Sequence, residues 1–125
     1  MSNQTSPRIL IVDNDEGMVQ ALSTRLEAEG YQCVTAHTGA QGLGEFEQGT
    51  IDLVVTDLNM PVLDGAALIL RIRAHSDVPI IVVTGFSREY GEHLEGVTNV
   101  TLIEKPFEAQ AFMDLVTTAL VMINT

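Results

Sequence analysis

Short apolar runs recur along the chain, separated by longer stretches that mix apolar and polar residues. The runs are rich in Val and Ile and rarely alternate with polar positions, which is typical of β-strands covered on both faces. We predict five strands, four from strong runs and one, YQCVTA, from a weaker run. They lie at 8–12, 31–36, 52–56, 79–83 and 100–103.

The stretches that follow the strands have helical spacing. Met18, Leu22 and Leu26 fall on one face of the first helix. Asp15 can cap the start of that helix, and Gly30 follows it as a stop signal. We predict helices over 16–29, 38–47, 64–74, 87–95 and 107–122. This repeated strand–helix order predicts an α/β fold with a parallel sheet, helices on both faces and right-handed crossovers.

Three of the predicted helices differ from the first. Gly42 and Gly44 interrupt the second, which weakens its prediction. The fourth, over 87–95, is short and polar, so little apolar burial would hold it in place. The core stripe of the last helix is assigned to Phe112, Leu115, Ala119 and Met122. Met113 and Val121 fall off this stripe, which favours either a contact surface or an uncovered helix end.

The length of 125 residues is enough for one domain with its own core. We expect a disordered N-terminus at 1–7, a folded domain at 8–122 and a short C-terminal end at 123–125. No apolar run is long enough for a membrane span and no signal peptide opens the chain, so we expect no membrane partner. The single Cys33 cannot form an internal disulfide, which favours a reducing, cytoplasmic location.

The charge balance argues against one class of partner. The formal net charge is −11 at pH 7, and the chain has only six Lys and Arg residues. Nucleic-acid phosphates need a basic face, so we expect no direct nucleic-acid binding by this domain. An acidic protein is compatible with cation binding, although most of these charges are expected to form a solvated surface.

Polar residues follow four of the five predicted strands at the points where the strands end. Open parallel sheets bind their ligands outside these carboxyl ends. The residues concerned are Asp13-Asn14-Asp15, Asp57, Thr84-Gly85 and Glu104-Lys105-Pro106. Three of these strand ends carry side-chain oxygens and one carries an ammonium group, so we expect a shared polar pocket.

The residue types in this pocket favour phosphoryl chemistry. Carboxylates crowded together repel each other and need a cation. All-oxygen ligands suit Mg²⁺, which keeps several waters and takes few protein ligands. A carboxylate beside Mg²⁺ can attack phosphorus and form an acyl phosphate, which a lysine and a hydroxyl group then hold. These groups are supplied by Asp13, Asp57, Thr84 and Lys105, and Gly85 leaves room beside the phosphoryl group.

A resemblance to a known family rests on four segments in this order: ILIVDND, DLVVTDLNMPVLDG, PIIVVTG and LIEKPF. Together they resemble the receiver domain of bacterial two-component response regulators, from Arg8 to about Val121. The resemblance implies a flavodoxin-like (βα)5 sandwich with strand order 2-1-3-4-5. It also implies that a sensor histidine kinase or a phosphotransfer protein donates a phosphoryl group to Asp57.

The resemblance assigns roles at the metal site. Asp57 matches the phosphoacceptor, and Asp13 matches the first member of an acidic pair that holds Mg²⁺ largely through water. Asn14 stands where the family usually has the second acid, which is a direct ligand. Its amide oxygen can still bind, but the lost charge predicts weaker Mg²⁺ binding. The backbone carbonyl of Asn59 matches a further metal-contacting position.

The resemblance also assigns roles at the switch. Thr84 matches the switch hydroxyl, Lys105 matches the lysine that pairs with the phosphoryl group, and Pro106 matches a proline that is commonly cis. Leu102 stands where the family often has an aromatic switch residue. An inward aromatic flip is therefore not available, and we expect the output face to respond through backbone shifts alone.

The preferred interpretation is a phosphorylation-dependent signalling switch. Partner binding would change at the face formed by the fourth predicted helix, the fifth strand and the fifth helix. Catalysis would be limited to phosphorylation and dephosphorylation of the domain's own aspartate, so we expect no enzyme in the ordinary sense. Asn59 and Phe86, which flank the acceptor and the switch hydroxyl, are expected to tune dephosphorylation. The downstream protein or output domain is not readable, and homodimerisation stays open.

Three other interpretations stay open. The first is a degenerate receiver that binds partners without phosphorylation, which Asn14 and Leu102 favour. The second is a phosphatase of the haloacid dehalogenase type, with Asp13 and Asp15 as its D-x-D pair. The chain has Gly17 where that family has Thr or Val, and it is too short for a cap domain. The third, a flavodoxin, would need a Ser/Thr/Gly-rich phosphate loop after the first strand, which the sequence lacks.

Overall fold

The structure is a computed structural model that describes residues 6–58, 64–85, 94 and 96–123. All five strands pair in parallel in one sheet of order β2-β1-β3-β4-β5. The strands are β1 (Arg8–Val12), β2 (Gln32–Ala36), β3 (Leu53–Thr56), β4 (Ile80–Thr84) and β5 (Val100–Glu104). The α/β class, the five strands and the flavodoxin-like order are confirmed, and the winding reverses between β1 and β3.

The helices within the described ranges are α1 (Glu16–Ala28), α2 (Gly39–Gln48), α3 (Gly65–Arg73) and α4 (Ala109–Ile123). The first three begin where the side chains of Asp15, Thr38 and Asp64 accept a backbone N–H from three residues further on. The predicted helix over 87–95 lies outside the described residues, apart from the buried Leu94. None of the described helices is long and apolar enough to cross a bilayer.

The core forms two layers, one on each face of the sheet. Successive side chains of a strand point to opposite faces. Leu10 and Val54 therefore pack in one layer with α2 and α3, whereas Ile11 and Val55 pack in the other with α1 and α4. The edge strands β2 and β5 are only partly buried, while β3 and β4 are buried throughout. Burial on both faces explains the continuous apolar runs of the central strands.

Gly42, which weakens the sequence prediction of α2, lies at a close contact between this helix and β1. A Cβ atom at this position would lie 2.7 Å from Cγ2 of Val12. Glycine therefore allows the helix backbone to approach the sheet. The packing that this approach allows outweighs the low helix propensity of glycine.

The start of α4 differs from its prediction. The helix begins at Ala109 and not at Phe107. Phe107 lies just before the helix, and its ring packs on that of Phe112 with 5.8 Å between the ring centroids. This pairing of a residue before the cap with one in the first turn is a hydrophobic staple, which fixes how the chain enters a helix.

The buried face of α4 was assigned wrongly in part. Among the side chains of this helix that the structure describes, Phe112, Met113, Val116 and Leu120 are buried, and the predicted core residue Met122 lies outside them. Leu115 and Ala119 are only partly buried at the margin of the core, while Val121 is exposed as expected. Apolar residues border Phe112 on both sides of the helix, so spacing alone could not decide which side faces the sheet.

The N-terminal residues 1–7 were expected to be disordered, and the structure describes Ser6 and Pro7 of this segment. The Pro7 carbonyl accepts a hydrogen bond from the Gln32 N–H at 2.9 Å. Pro7 therefore contacts the first residue of β2, and the expected domain boundary at Arg8 stays a prediction.

Two leucines of α3 provide a matched test of this packing. Leu68 is fully buried and Leu70 is 48 % exposed. We expect Leu68→Ala to lower the free energy of unfolding by about 2–5 kcal/mol because it leaves a cavity. Leu70→Ala should change this free energy by less than about 0.5 kcal/mol. Urea denaturation measures both values, and equal losses would contradict the assigned core.

Candidate functional site

Two carboxylates lie side by side where neighbouring strands end. Val12 of β1 pairs with Thr56 of β3, so the next residues, Asp13 and Asp57, leave the sheet together. The Asp57 N–H donates to the Val12 carbonyl at 3.1 Å. Asp13 and Asp57 are only 3 % and 8 % exposed. The carboxyl edge of the sheet therefore holds two largely desolvated acids.

Lys105 joins these two acids. It follows β5, and its N–H donates to the Thr84 carbonyl at 2.9 Å. Its Nζ lies 3.2 Å from Oδ2 of Asp13 and 3.3 Å from Oδ2 of Asp57. The ammonium group therefore bridges the two carboxylates. The Lys105–Pro106 peptide bond is cis, the isomer that the resemblance implied.

The charges of this pocket do not balance. Burial raises the pKa of Asp13, and Asp57 adds to this effect, while the Asp15 N–H and Lys105 oppose it. Burial alone would lower the pKa of Lys105, but the two carboxylates together outweigh burial and raise this pKa. Lys105 therefore carries a positive charge at neutral pH. Two carboxylates against one ammonium leave the pocket with a surplus negative charge that attracts a further cation.

The switch residues predicted from the sequence lie at the same edge. Thr84 is fully buried at the end of β4 and pairs with Glu104 of β5. Gly85 is exposed, and a Cβ atom there would meet no described atom within 4 Å. Leu102 of β5 is partly buried and packs against the α2–α3 layer of the core.

The other predicted metal ligands are placed less fully. Asn14 is exposed beside Asp13. Asn59 and Phe86 lie outside the described residues. In the parts of the chain that the structure describes, no three His, Cys, Asp or Glu side chains form a set that could hold a metal ion. Among the described acidic side chains, those of Asp13 and Asp57 are the two that meet in this pocket.

Sequence reasoning missed two residues, Thr56 and Gly65, that contact the backbone carbonyl of Asp57. Thr56 is buried, and its Oγ1 donates to the Asp57 carbonyl at 2.9 Å. Gly65, the first residue of α3, lies against the same carbonyl, and a Cβ atom there would overlap it. The Gly65 N–H also donates to the Leu58 carbonyl at 3.0 Å. Asp64-Gly65 was interpreted only as a helix start, because a close backbone approach leaves no periodic signal.

The fold and the site together define a class of protein: a parallel α/β domain with an acidic, lysine-bridged pocket at the switch point of its sheet. The sequence model of the response regulator receiver domain matches residues 9–117. The chain therefore belongs to the family of response regulator receiver domains, which are signalling domains and not classical enzymes.

Curated relatives include longer proteins. The chain is 38 % identical over 109 residues to the probable transcriptional regulator ycf27 of Guillardia theta, covering 83 % of this chain and 41 % of that protein. It is 40 % identical over 77 residues to the transcriptional regulatory protein GlrR of Escherichia coli K12, covering 61 % of this chain and 17 % of that protein. The chain thus spans less than half the length of these relatives.

Solved structures share the fold over nearly the whole chain. The receiver domain of the hybrid histidine kinase CckA is 28 % identical, with a TM-score of 0.78, covering 90 % of this chain and 98 % of that one. The chemotaxis response regulator CheY4 of Vibrio cholerae is 26 % identical, with a TM-score of 0.83, covering 92 % and 99 %. The same architecture therefore serves proteins with different outputs.

Gly65 can be tested against a second helical glycine. Gly65→Ala should lower the free energy of unfolding by roughly 1–3 kcal/mol or more, because the new methyl group pushes α3 away from Asp57. Gly44 has open space at its Cβ position. Gly44→Ala should therefore raise this free energy by about 0.5–1 kcal/mol. Urea denaturation distinguishes the two, and a stabilising Gly65→Ala would contradict the close approach.

Proposed function

We propose that this domain is a phosphorylation-dependent switch in which Asp57 accepts a phosphoryl group from a phosphohistidine. The donor would be a sensor histidine kinase or a phosphotransfer protein. The observation that carries the proposal is the Lys105 ammonium between the two buried carboxylates Asp13 and Asp57. A cation in this place can leave the acceptor carboxylate and pair with the phosphoryl oxygens as they arrive.

Asp57 is the better acceptor of the two acids. The Asp57 side chain is the more exposed, at 10 % against 4 % for Asp13. A phosphoryl donor therefore reaches Asp57 more easily, and the match to the family motif supports the same assignment.

The transfer is a single displacement at phosphorus. A carboxylate oxygen of Asp57 forms a bond to phosphorus while the bond from phosphorus to the imidazole nitrogen breaks, and its electron pair stays on that nitrogen. The product is an acyl phosphate. Lys105 moves from the carboxylate to a phosphoryl oxygen, and the Thr84 hydroxyl donates to another. Thr84 ends β4, and Lys105 directly follows the adjacent strand β5. Movement of these two residues toward the phosphoryl group therefore shifts the carboxyl ends of both strands.

The donor set fits Mg²⁺. All candidate ligands are oxygens, and the pocket has a surplus negative charge that Lys105 alone does not cancel. Asp13, Asn14, the Asp57 carboxylate and the Asn59 carbonyl would hold the ion. When bound, Mg²⁺ shields the charge on the phosphoryl oxygens so that an anionic acceptor can approach.

The output follows from where the moving residues lie. Thr84 and Lys105 end β4 and β5, and the chain continues from Lys105 into α4. A shift at these residues is passed to the face of β5 and α4 and to the predicted helix over 87–95, where a partner protein or an output domain would bind. Leu102 on β5 would carry the change by packing and backbone movement, without an aromatic flip.

Phosphorylation can be measured directly on the intact protein. We expect incubation with acetyl phosphate and Mg²⁺ to add one phosphoryl group, detected as an increase in intact mass, because the site needs no kinase to activate Asp57. Chelation of Mg²⁺ should abolish the gain. Asp57→Asn should also abolish it, whereas Asp114→Asn, which changes an exposed acid of α4, should not.

The controls separate the competing outcomes. A gain that persists in Asp57→Asn would remove Asp57 from the acceptor role. Absence of any gain in the unmodified protein at high Mg²⁺ would favour the degenerate, phosphorylation-independent binding module.

Asn14 allows a test of the metal site that does not depend on phosphorylation. Replacing it by aspartate adds a negative charge beside Asp13. We expect Asn14→Asp to tighten Mg²⁺ binding about tenfold, since an added charge a few ångströms from a divalent ion contributes roughly 1–2 kcal/mol even when solvated. Isothermal titration with MgCl₂ measures the affinity, and an unchanged affinity would place the ion away from Asn14.

A further inference from the structure

Thr56 is buried at a point where the sequence gives no reason for a polar residue. It ends β3, is 1 % exposed, and follows Val54 and Val55 in a run that is otherwise apolar. Its hydroxyl donates to the carbonyl of Asp57 at 2.9 Å. A valine would have the same shape but would lack this hydrogen-bond donor. The hydroxyl group is therefore the only chemical difference between threonine and valine at this position.

The hydrogen bond of Thr56 constrains Asp57 on one side of its Cα atom, and a backbone hydrogen bond constrains it on the other. On the amino side, the Asp57 N–H donates to the Val12 carbonyl of β1 at 3.1 Å. On the carboxyl side, the Asp57 carbonyl accepts the Thr56 hydroxyl. Gly65 of α3 lies against the same carbonyl and blocks its movement toward the helix. The two peptide planes that flank Asp57 are therefore both constrained.

This constraint decides where the carboxylate points. The direction of the Cα–Cβ bond follows from the two flanking peptide planes, and Asp57 Oδ2 lies 3.3 Å from Lys105 Nζ in the observed orientation. β3 ends at Thr56, which pairs with Val82 of β4, and Asp57 is the next residue. Thr56 supplies a fixed contact where the strand ends.

We propose that Thr56 is a positioning residue for phosphoryl transfer: its hydroxyl holds the Asp57 carbonyl and thereby aims the acceptor carboxylate. The inference rests on the proposed function of Asp57. It differs from a purely structural role, in which the hydroxyl would add stability and leave the rate of transfer unchanged. Loss of the donor should slow the chemical step, because small displacements of a reacting group reduce rates steeply.

The test compares variants that keep or remove the donor. Thr56→Val and Thr56→Ala lack the hydroxyl, whereas Thr56→Ser retains it. Val54→Ala, on the same strand and in the same fully buried core, controls for lost stability without touching Asp57. The rate of phosphorylation by acetyl phosphate is measured by intact mass at saturating Mg²⁺, at a temperature where circular dichroism shows each variant folded.

The proposal predicts one pattern of rates. Thr56→Val and Thr56→Ala should be slowed about tenfold or more, whereas Thr56→Ser and Val54→Ala should stay within about twofold of the unmodified protein. If Thr56→Val fails to fold, the comparison of Thr56→Ala with Thr56→Ser gives the same answer. Rates in the donor-free variants that match Val54→Ala would overturn the positioning role. Lack of phosphorylation in the unmodified protein would instead contradict the proposed function itself.

Discussion

Repulsion between two carboxylates that the sheet places side by side is the constraint on which this site depends. The pairing of β1 with β3 sets Asp13 and Asp57 next to each other, and burial removes the water that would screen them. Both ion pairs found in the described part of the chain are made by Lys105 with these two acids. The lysine reduces the repulsion but leaves an excess of negative charge. This excess is what the proposed function uses, because it would draw a metal cation and, with it, an anionic phosphoryl group into the pocket.

The rest of the fold keeps this arrangement from relaxing. Two apolar layers pack on the central strands, so the backbone positions of the two acids are fixed by the core. Helix α3 is seated against the Asp57 carbonyl through Gly65, and Thr56 holds that carbonyl from the strand side. In the proposed switch, this tight support leaves a change of charge at Asp57 few ways to be absorbed locally.

Much of the fold could be predicted from the sequence because its signals are local. Continuous apolar runs marked the strands, and Asp15 and Asp64 marked helix starts by their capping side chains. The strand-end rule placed Asp13, Asp57, Thr84 and Lys105 at one edge, where the structure has them. The features that residue spacing could not predict depend on contacts between parts of the chain that are distant in sequence. Gly42 and Gly65 are required by approaches between backbones, and the buried side of α4 depends on what packs against it. The Thr56 hydrogen bond could not be predicted, because threonine is common in strands and the sequence does not show what its hydroxyl group contacts.

The most direct measurement of the central claim identifies which residue carries the phosphoryl group. Borohydride reduces an acyl phosphate of aspartate to homoserine, which peptide mass mapping then places in the chain. After treatment with acetyl phosphate and Mg²⁺, the account predicts homoserine at position 57 and aspartate unchanged at position 13. Homoserine at position 13, or at an acid outside the pocket, would contradict the view that the Lys105-bridged pair presents Asp57 as the acceptor.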